Sequence, residues 1–375
     1  MTKRNIVISL NSGEQMGGVE RHVGDLIKGL SHEFNFTVCC KYGPMVEEYR
    51  KYGGQFVELY PHFDFDLVFL LKFFKLLRLL NPVVVHAHEL KAGFNATLAA
   101  YFAHVQVRIY HVHTPITQWQ LPQWKKKTLF KLNIFANKVA GNIFATHVIA
   151  LTAEIKKERI DCEGIKSTRI VVIPNGVDIK KFRIQSSEFR VIRNETRKKW
   201  NIKNNEFVIG NISRLTEEKG HEILLKAFTK LPKGKFPFLV IAGGGHLKSS
   251  LKALSATLGI NDRVKFLGKF TDEDKVKILL GFDIFAFPTL AEGFGIVMME
   301  AMAAKIPIIA SDLPVLKEVA GGTVEYFKVG DFSDLGRSLE SFEPNSDRVD
   351  KAFERVKNRY SMERFLNSYR NLYGI

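Results

Sequence analysis

The sequence PTLAEGFGIVMMEAMA occupies residues 288–303, directly after the apolar run Ile284–Phe287. A β-branched and aromatic run, a glycine-containing turn and a longer apolar segment predict a strand, a loop and a helix in that order. Gly293 and Gly295 allow the loop backbone to approach a ligand closely. The N–H groups and the positive dipole at the start of the helix suit a phosphate. This segment therefore predicts a βα unit with a phosphate site at its turn.

The same alternation of short β-branched runs with longer helical segments extends in both directions. In the first half, the predicted strands are Asn5–Leu10, Phe36–Cys40, Val83–His86, Val107–His111, His147–Leu151 and Arg169–Ile173. In the second half, they are Phe207–Ile212, Phe238–Ala242, Val264–Leu267, Ile284–Phe287, Pro307–Ala310 and Thr323–Tyr326. Two such series predict an α/β fold with two doubly wound, Rossmann-like domains that face each other across a cleft.

The break between the two series lies near Pro174-Asn175-Gly176, because these residues favour a turn. We place a first domain at residues 1–172, a second at 173–358 and a final helical segment at 359–375. The polar stretch 180–205 is predicted to be a linker that leads into the second domain.

Composition excludes several classes of protein. The chain has 375 residues, of which 46% are hydrophobic and 25% charged, so it is neither collagen-like, disordered nor a coiled coil. Three cysteines, two of them adjacent, make a poor disulfide framework and predict a reducing, cytoplasmic compartment. The amino terminus does not resemble a signal peptide, and no apolar stretch reaches the length of about 20 residues that a spanning helix needs.

The formal net charge of +16 predicts a polyanionic partner: nucleic acid, an anionic membrane or a phosphorylated ligand. Residues 91–153 contain no acidic residue, whereas basic residues recur through them. The sequence has no recognition-helix motif and no aromatic residues interleaved on a basic sheet, so we expect no nucleic-acid partner.

Glu292 and Glu300 lie eight residues apart on either side of the helix start. Eight helical residues would separate them by about 12 Å, whereas a glycosidase pair needs about 5–9.5 Å. The spacing suits two carboxylates that bind different hydroxyls of one extended ligand. A carboxylate within the apolar part of the helix, as Glu300 is, is costly without a partner.

This segment resembles the E-x7-E signature of the retaining glycosyltransferases of the GT-B fold, family 4, also called glycosyl transferases group 1. The other matching motifs occur in the order that the family has along most of the chain. They are Gly17-Gly18-Val19-Glu20-Arg21-His22, His86-Ala87-His88-Glu89, His111-Val112-His113-Thr114, Pro174-Asn175-Gly176-Val177-Asp178, Gly210-Asn211-Ile212-Ser213-Arg214, Glu218-Lys219-Gly220, Gly243-Gly244-Gly245 and Val264-Lys265-Phe266-Leu267-Gly268. Their joint order is specific, although each motif alone is weak.

The resemblance implies that residues 173–358 bind a nucleotide-sugar donor and residues 1–172 an acceptor, with the helix of 359–375 crossing back to the first domain. Two cations five residues apart can neutralise a diphosphate. By the resemblance, the diphosphate would be bound by Arg214, Lys219 and the start of the helix from Ile296. The sugar hydroxyls would be bound by Glu292 and the N–H groups of Gly293, Phe294 and Gly295. The ribose would be bound by Glu300. The implied catalytic residues are Arg214, Lys219, Glu292 and His113.

Other first-domain motifs fit the resemblance as well. Gly17 and Gly18 do not form a G-x-G-x-x-G dinucleotide motif, but they would let the backbone approach the donor phosphates. His113 would lie beside the reacting sugar carbon, where its dipole would stabilise oxocarbenium character. The pairs His86/His88 and His111/His113 each share one strand face. Zinc is an alternative for them, but the resemblance explains these histidines without a metal, so we predict none.

A basic segment and an apolar helix predict attachment to a membrane surface. Trp119, Trp124, Lys125, Lys126 and Lys127 combine interfacial aromatics with cations that suit anionic headgroups. The stretch Leu67–Leu80 is apolar except for cations that recur every three residues, and it is too short to span a bilayer. A core helix with a solvated edge is the alternative for this stretch.

These observations predict a retaining hexosyltransferase, an enzyme of the EC 2.4 class. It would move a hexose-type sugar from a nucleotide-sugar to a saccharide or lipid-linked acceptor at the inner face of the membrane. In the family the leaving phosphate is thought to take the acceptor's proton, so the reaction needs no protein base, cofactor or obligatory metal. The alternatives are a catalytically silent GT-B partner subunit and a basic nucleic-acid-binding protein.

Overall fold

The computed structural model describes residues 3–13, 17–113, 126–182, 184 and 186–374. The chain divides into two compact units. Met1–Gly176 and Glu363–Ile375 form the first unit, and Val177–Met362 forms the second. Each unit has a parallel β-sheet with connecting helices, which is a Rossmann-like architecture. The predicted α/β class with two such domains is confirmed.

The first unit contains a seven-stranded sheet in the order β3-β2-β1-β4-β5-β6-β7, with parallel pairing throughout. Its strands are β1 (Arg4–Ser12), β2 (Phe34–Lys41), β3 (Gln55–Glu58), β4 (Val84–His88), β5 (Val107–His111), β6 (His147–Ala150) and β7 (Ile170–Val172). The sequence did not predict β3, because this edge strand has four residues and none of them is fully buried. The other six coincide with predicted strands.

The helices of the first unit before its C-terminal segment are α1 (Gly18–Leu30), α2 (Pro44–Lys51), α3 (Leu67–Leu80), α4 (Leu90–Phe102), α5 (Lys126–Val139) and α6 (Ala153–Asp161). Helix α3 has the predicted bounds. The Asp66 carboxylate caps it by accepting a hydrogen bond from the N–H of Phe69. Phe69, Phe73 and Leu77 recur every four residues and form its buried face.

The second unit contains a six-stranded parallel sheet in the order β10-β9-β8-β11-β12-β13. Its strands are β8 (Val208–Ile212), β9 (Phe238–Ala242), β10 (Val264–Gly268), β11 (Ile284–Phe287), β12 (Ile308–Ser311) and β13 (Glu325–Phe327). Its helices are α7 (Ser186–Lys199), α8 (His221–Thr229), α9 (Lys248–Thr257), α10 (Asp272–Leu280), α11 (Ile296–Ala303), α12 (Pro314–Ala320), α13 (Phe332–Glu340) and α14 (Ser346–Arg359). All six strands were predicted within one or two residues.

The prediction that residues 180–205 form a linker is wrong, because helix α7 occupies most of this stretch. The buried guanidinium of Arg197 holds the helix to the sheet: it donates to Gly281 O at 2.9 Å and Glu206 O at 2.7 Å, and it pairs with Asp283 at 2.6 Å. The many polar residues concealed the helix, since its attachment depends on a buried charge that is fully hydrogen-bonded rather than on an apolar stripe.

The last helix, α15 (Met362–Tyr373), packs on the first unit through buried aromatic residues. The ring of Phe365 lies 5.0 Å from that of His22, and Tyr369 stacks on His86 at 5.5 Å. Arg370 also forms an ion pair with Glu33 at 2.8 Å. These contacts bring side chains from the end of the chain to the carboxyl ends of the first sheet.

Candidate active site

The strand order reverses between β8 and β11 in the second unit, and between β1 and β4 in the first. Chains that leave two adjacent parallel strands in opposite directions open a crevice at the carboxyl ends, where ligands of such sheets bind. The predicted donor-binding motifs follow β8 and β11, and the predicted first-domain motifs follow β1, β4 and β5. Each unit therefore presents its motifs at its own switch point.

Lys219 and Glu292 meet at the switch point of the second unit, although 73 residues separate them. The ammonium donates to Glu292 Oε1 at 2.5 Å, and both side chains are mostly buried, with exposures of 14% and 13%. A charge-assisted hydrogen bond between two desolvated groups fixes the position of both. The structure thus brings together two of the residues predicted for catalysis.

The loops that carry these two residues are joined through the backbone. Glu218 O accepts hydrogen bonds from Leu290 N at 2.7 Å and from Thr289 Oγ1 at 3.1 Å. Gly220 has a φ of +67°, and a Cβ atom there would lie 2.0 Å from Pro288 O. Only glycine therefore fits where the two loops cross.

Arg214 lies at the outer edge of this region. Its side chain is 59% exposed, and its Nη2 lies 3.3 Å from Glu218 Oε1. Thr216 Oγ1 donates to the same carboxylate oxygen at 2.6 Å, which fixes Glu218 in turn. The guanidinium is oriented by a surface ion pair and is accessible to an anion, as the predicted phosphate contact requires.

Helix α11 begins with Gly295 as its N-cap, in the left-handed conformation with a φ of +84°. Among the described residues, no side chain caps this helix, so its first N–H groups, from Ile296 onward, are oriented for an anion. Gly293 is half-buried, whereas the Phe294 ring is buried against Tyr360 at 5.6 Å. Phe294 can therefore offer a ligand its backbone but not its ring.

Glu292 and Glu300 do not lie on one helix, because α11 begins four residues after Glu292, so the separation of about 12 Å predicted from helix rise does not apply. Glu300 is a buried helical residue, as predicted, and its partner is Lys275 of α10, whose ammonium bonds Glu300 Oε1. Lys275 Nζ is also 3.7 Å from Asp272 Oδ1. Lys275 was not among the predicted site residues, although its place beside Ile278 and Leu279 on the apolar face of α10 is a signal in the sequence.

A buried hydrogen-bond network holds the backbone next to Arg214, through Asn211, Ser213 and His221. Ser213 Oγ donates to Asn211 Oδ1 at 2.9 Å and lies 2.9 Å from His221 Nε2, and Asn211 Nδ2 donates to Ala286 O at 2.9 Å. Burial, followed by the nearby Lys219 ammonium, lowers the pKa of His221 to about 4. His221 is therefore neutral near pH 7 and adds no charge to the phosphate region.

In the first unit, five imidazoles form what we call the histidine cluster: His22, His86, His88, His111 and His113. Burial lowers the pKa of His22 to about 4 and holds the pKa values of the other four well below the usual range, with further lowering from neighbouring histidines. All five are therefore neutral near pH 7.

His113 lies at the half-buried edge of this cluster. Its Nε2 is 3.0 Å from His88 Nδ1, and its ring stacks on His111 with centroids 3.9 Å apart. The buried guanidinium of Arg159 donates to Val112 O at 2.8 Å and so fixes the backbone next to His113. A neutral imidazole at this edge can offer a dipole to a ligand, and the position of His113 beside a reacting sugar stays a prediction.

Gly17 and Gly18 lie at the start of α1. Gly17 is the N-cap with a φ of −86°, which any residue adopts, and a Cβ there would lie 2.5 Å from the flexible Glu20 carboxylate. Gly18 is exposed. The backbone conformation therefore does not itself require glycine, and the predicted need for a close approach to phosphates stays a prediction.

The predicted acceptor and membrane residues Trp119, Trp124 and Lys125 lie outside the described residues. Lys126 and Lys127 form the first turn of α5, and the structure describes only their backbone. Farther along this helix, Lys131, Leu132, Phe135 and Lys138 are exposed. No helix within the described ranges combines the length and the apolar character that a membrane crossing requires.

Known proteins resemble this chain in sequence and in fold. The family model "Glycosyltransferase Family 4" matches residues 16–181, and the model "Glycosyl transferases group 1" matches residues 192–359. The crystal structure of Anabaena HepE with UDP and glucose has a TM-score of 0.84 at 20% identity, with 98% of each chain covered. This likeness concerns the fold of the whole chain.

Two curated relatives match over shorter stretches. The putative glycosyltransferase EpsF of Bacillus subtilis is 31% identical over 63% of this chain and 59% of its own length. The Escherichia coli UDP-Gal:alpha-D-GlcNAc-diphosphoundecaprenol alpha-1,3-galactosyltransferase is 29% identical over 66% of this chain and 62% of its own. The chain thus spans less than two thirds of each. Together, the two family models and the fold show that this chain belongs to the family 4 glycosyltransferases of the GT-B fold.

Proposed function

We propose that the protein is a retaining glycosyltransferase that moves a hexose from a nucleoside-diphosphate sugar to a saccharide or lipid-linked acceptor at an anionic membrane surface. The observation that carries the proposal is the meeting of Lys219 with Glu292 beside the start of α11. Family membership supports transfer from a nucleotide-sugar. A catalytically silent subunit would have no need to keep these charged groups together at the start of α11.

The donor would bind along the second unit's switch point. Its diphosphate would contact Arg214, Lys219 and the first N–H groups of α11, where fixed cations and a helix dipole offset the charge of the leaving group. Glu292 and the backbone of 293–295 would hold sugar hydroxyls, and Glu300 would hold ribose. The complex of HepE with UDP and the UDP-galactose named for the E. coli relative support a UDP-sugar.

In the proposed reaction, the acceptor oxygen bonds to the anomeric carbon as the bond from that carbon to the leaving phosphate oxygen breaks. The acceptor oxygen attacks on the same face of the sugar that the leaving phosphate departs from, so the configuration at the anomeric carbon is retained. The acceptor's proton passes to a phosphate oxygen of the departing nucleoside diphosphate. The neutral His113 would stabilise the positive charge that develops on the sugar. The cations already present would stabilise the leaving group, so we propose that no cofactor or obligatory metal takes part.

The membrane part of the proposal rests on exposed apolar residues of the first unit. Leu67, Val68, Leu71 and Leu79 of α3 are 58–80% exposed, and Phe63 and Phe65 precede them with exposures of 70% and 61%. Lys72, Lys75 and Arg78 are exposed on the same helix. Helix α4 packs against both α3 and α5, which places these residues in one helical layer with the exposed groups of α5. Apolar side chains bordered by cations suit anionic headgroups at the cytoplasmic face.

Flotation with vesicles tests this surface. Wild-type protein should float with anionic vesicles, less so as salt rises, and not with zwitterionic ones. Leu71→Asp with Leu79→Asp should abolish flotation. Val191→Asp, at an exposed apolar position of the second unit, is the matched control and should float normally. Equal flotation of all variants, or none for wild type, would refute membrane attachment.

The donor assignment is tested by incubating the full chain with UDP-, GDP- and ADP-sugars and measuring release of the nucleoside diphosphate. NMR of the anomeric proton in the product distinguishes retention from inversion. We expect turnover with a UDP-hexose and retention. An inverted product would contradict the proposed mechanism. If none of these nucleotide-sugars binds, the alternative of a catalytically silent subunit is favoured. Nucleic-acid binding without donor binding would favour the other alternative.

A further inference from the structure

Three nitrogens of the histidine cluster are buried without a hydrogen-bond partner among the described residues: the Nε2 atoms of His22, His88 and His111. A buried polar atom without a partner is unfavourable, and native structures rarely leave one unexplained. The proposed sugar transfer uses only His113 from this cluster. Of the three atoms, His22 Nε2 is the one whose protonation state is set by a residue outside the cluster.

The tautomer of His22 is fixed by Asn175. His22 Nδ1 lies 2.8 Å from the side-chain carbonyl oxygen of Asn175, which can only accept a hydrogen bond. His22 Nδ1 therefore carries the proton, and its Nε2 presents a lone pair inside the protein. Histidines that bind metals characteristically donate their second N–H in this way.

His86 is held in a similar manner by the last helix. Its Nδ1 lies 2.7 Å from the hydroxyl of Tyr373, and its Nε2 lies 3.3 Å from His111 Nδ1. Ligands at the zinc–nitrogen distance of about 2.0–2.1 Å in a tetrahedral site lie roughly 3.4 Å from each other. The two imidazoles therefore already have the spacing of neighbouring zinc ligands.

One potential ligand atom from each of His22, His86 and His111 lies within 4.8 Å of the others. In contrast to the prediction from the sequence that these histidines hold no metal, we propose that the three bind one zinc ion, with water in the fourth position. His22 keeps its N–H towards Asn175 and His86 keeps its N–H towards Tyr373, so each would bind zinc through its other nitrogen. Binding at the opposite nitrogens therefore releases no proton. Neutral imidazole nitrogen is a preferred zinc ligand.

A second trio, His88, His111 and His113, also satisfies the distance. It shares His111 with the first trio, so the two cannot bind separate ions through the same nitrogen. Each trio contains one hydrogen bond between histidines, His86 with His111 or His88 with His113, but His22 and His86 are also each oriented by a residue outside the cluster. This orientation favours the first trio. The ion would join α1, β4, β5 and α15 and stabilise the first unit, independently of donor chemistry.

The full chain, stripped with a chelator, should bind zinc in a competition with a chromophoric chelator. Cobalt as a probe should give the intense visible absorption of a four-coordinate site, and zinc should displace it. Zinc should also raise the melting temperature, and removing it should reverse the shift. Absence of the cobalt absorption or of stabilisation would overturn the proposal.

Variants identify the ligands. His22→Gln should abolish the cobalt absorption, and Tyr373→Phe, which keeps the ring, should weaken zinc binding by about 10- to 100-fold. The controls His32→Gln and His62→Gln remove exposed histidines that lie beside carboxylates, the pattern of adventitious binding, and should change nothing. If His22→Gln does not fold, the Tyr373→Phe result decides. Binding lost in the controls but kept in Tyr373→Phe would refute the site.

Discussion

Glu300 shows how one residue of the donor region can serve both stability and binding. Its carboxylate lies in the apolar part of α11, and burying it would be unfavourable without the Lys275 ammonium. The pair holds the carboxylate at one position on the helix. The residue assigned to ribose is therefore placed before any ligand arrives, which lowers the entropic cost of binding.

Lys275→Met tests this pairing, because it leaves the buried Glu300 carboxylate without its ammonium. We expect a loss of about 3–5 kcal/mol in the free energy of unfolding, measured by urea denaturation. Adding Glu300→Met should recover much of the stability but not donor affinity, since the ribose contact is gone. A Lys275→Met variant as stable as wild type would contradict the pairing.

His221 should make the second unit sensitive to acid. Its pKa is about 4 in the folded chain and near 6.5 when unfolded. Between these values the unfolded chain binds a proton that the folded chain does not, so stability falls as pH drops from 6.5 to 4. The contribution is on the order of 3 kcal/mol.

The measurement is urea denaturation of wild type and His221→Gln at pH 7 and at pH 4.5. The other buried histidines are present in both proteins and cancel in the comparison. The variant should lose less stability on acidification than wild type. Equal losses would show that His221 does not titrate as its burial requires.

Helix α7 is attached through the guanidinium groups of Arg193 and Arg197, of which Arg197 is fully buried. Arg197→Ala removes the hydrogen bonds to the carbonyl oxygens of Gly281, Asn204 and Glu206 and leaves Asp283 with Arg193 as its remaining guanidinium partner. We expect the free energy of unfolding to fall by about 3–5 kcal/mol. Arg190→Ala, at an exposed position of the same helix, should change it by less than about 0.5 kcal/mol. Similar effects of both substitutions in thermal or urea denaturation would contradict this account.

The strands could be predicted from the sequence because central parallel strands are buried on both faces and read as continuous apolar runs, as Ile6–Ile8 and Ile284–Phe287 do. Helix α7 and strand β3 could not, since a buried arginine network and a short sheet edge leave no such pattern. Motif order located Lys219, Glu292 and Glu300. It could not reveal Lys275, which lies in none of the motifs, or the contact of Asn175 with His22, because both pairs join residues distant in sequence.

For the whole molecule, part of the net charge of +16 lies on cations that suit two kinds of anion, a diphosphate and an anionic lipid headgroup. The second unit has cations at a switch point suited to a diphosphate, and the first unit exposes cations among apolar side chains on α3 and α5. We therefore expect rising ionic strength to weaken membrane association more than donor binding, because exposed charges are screened more than partly buried ones. Flotation and calorimetric titration over one salt series compare the two directly.

In the proposed function, Arg214 and Lys219 bind the donor diphosphate together with the start of α11. The most direct test is calorimetric titration of UDP into wild type and into Arg214→Met with Lys219→Met, alongside turnover of a UDP-hexose. Lys226→Met, which removes an exposed ion pair with Glu222, is the matched control. We predict that the double variant loses UDP affinity and turnover by at least about 100-fold while the control keeps both. Unchanged affinity and turnover in the double variant would contradict the account.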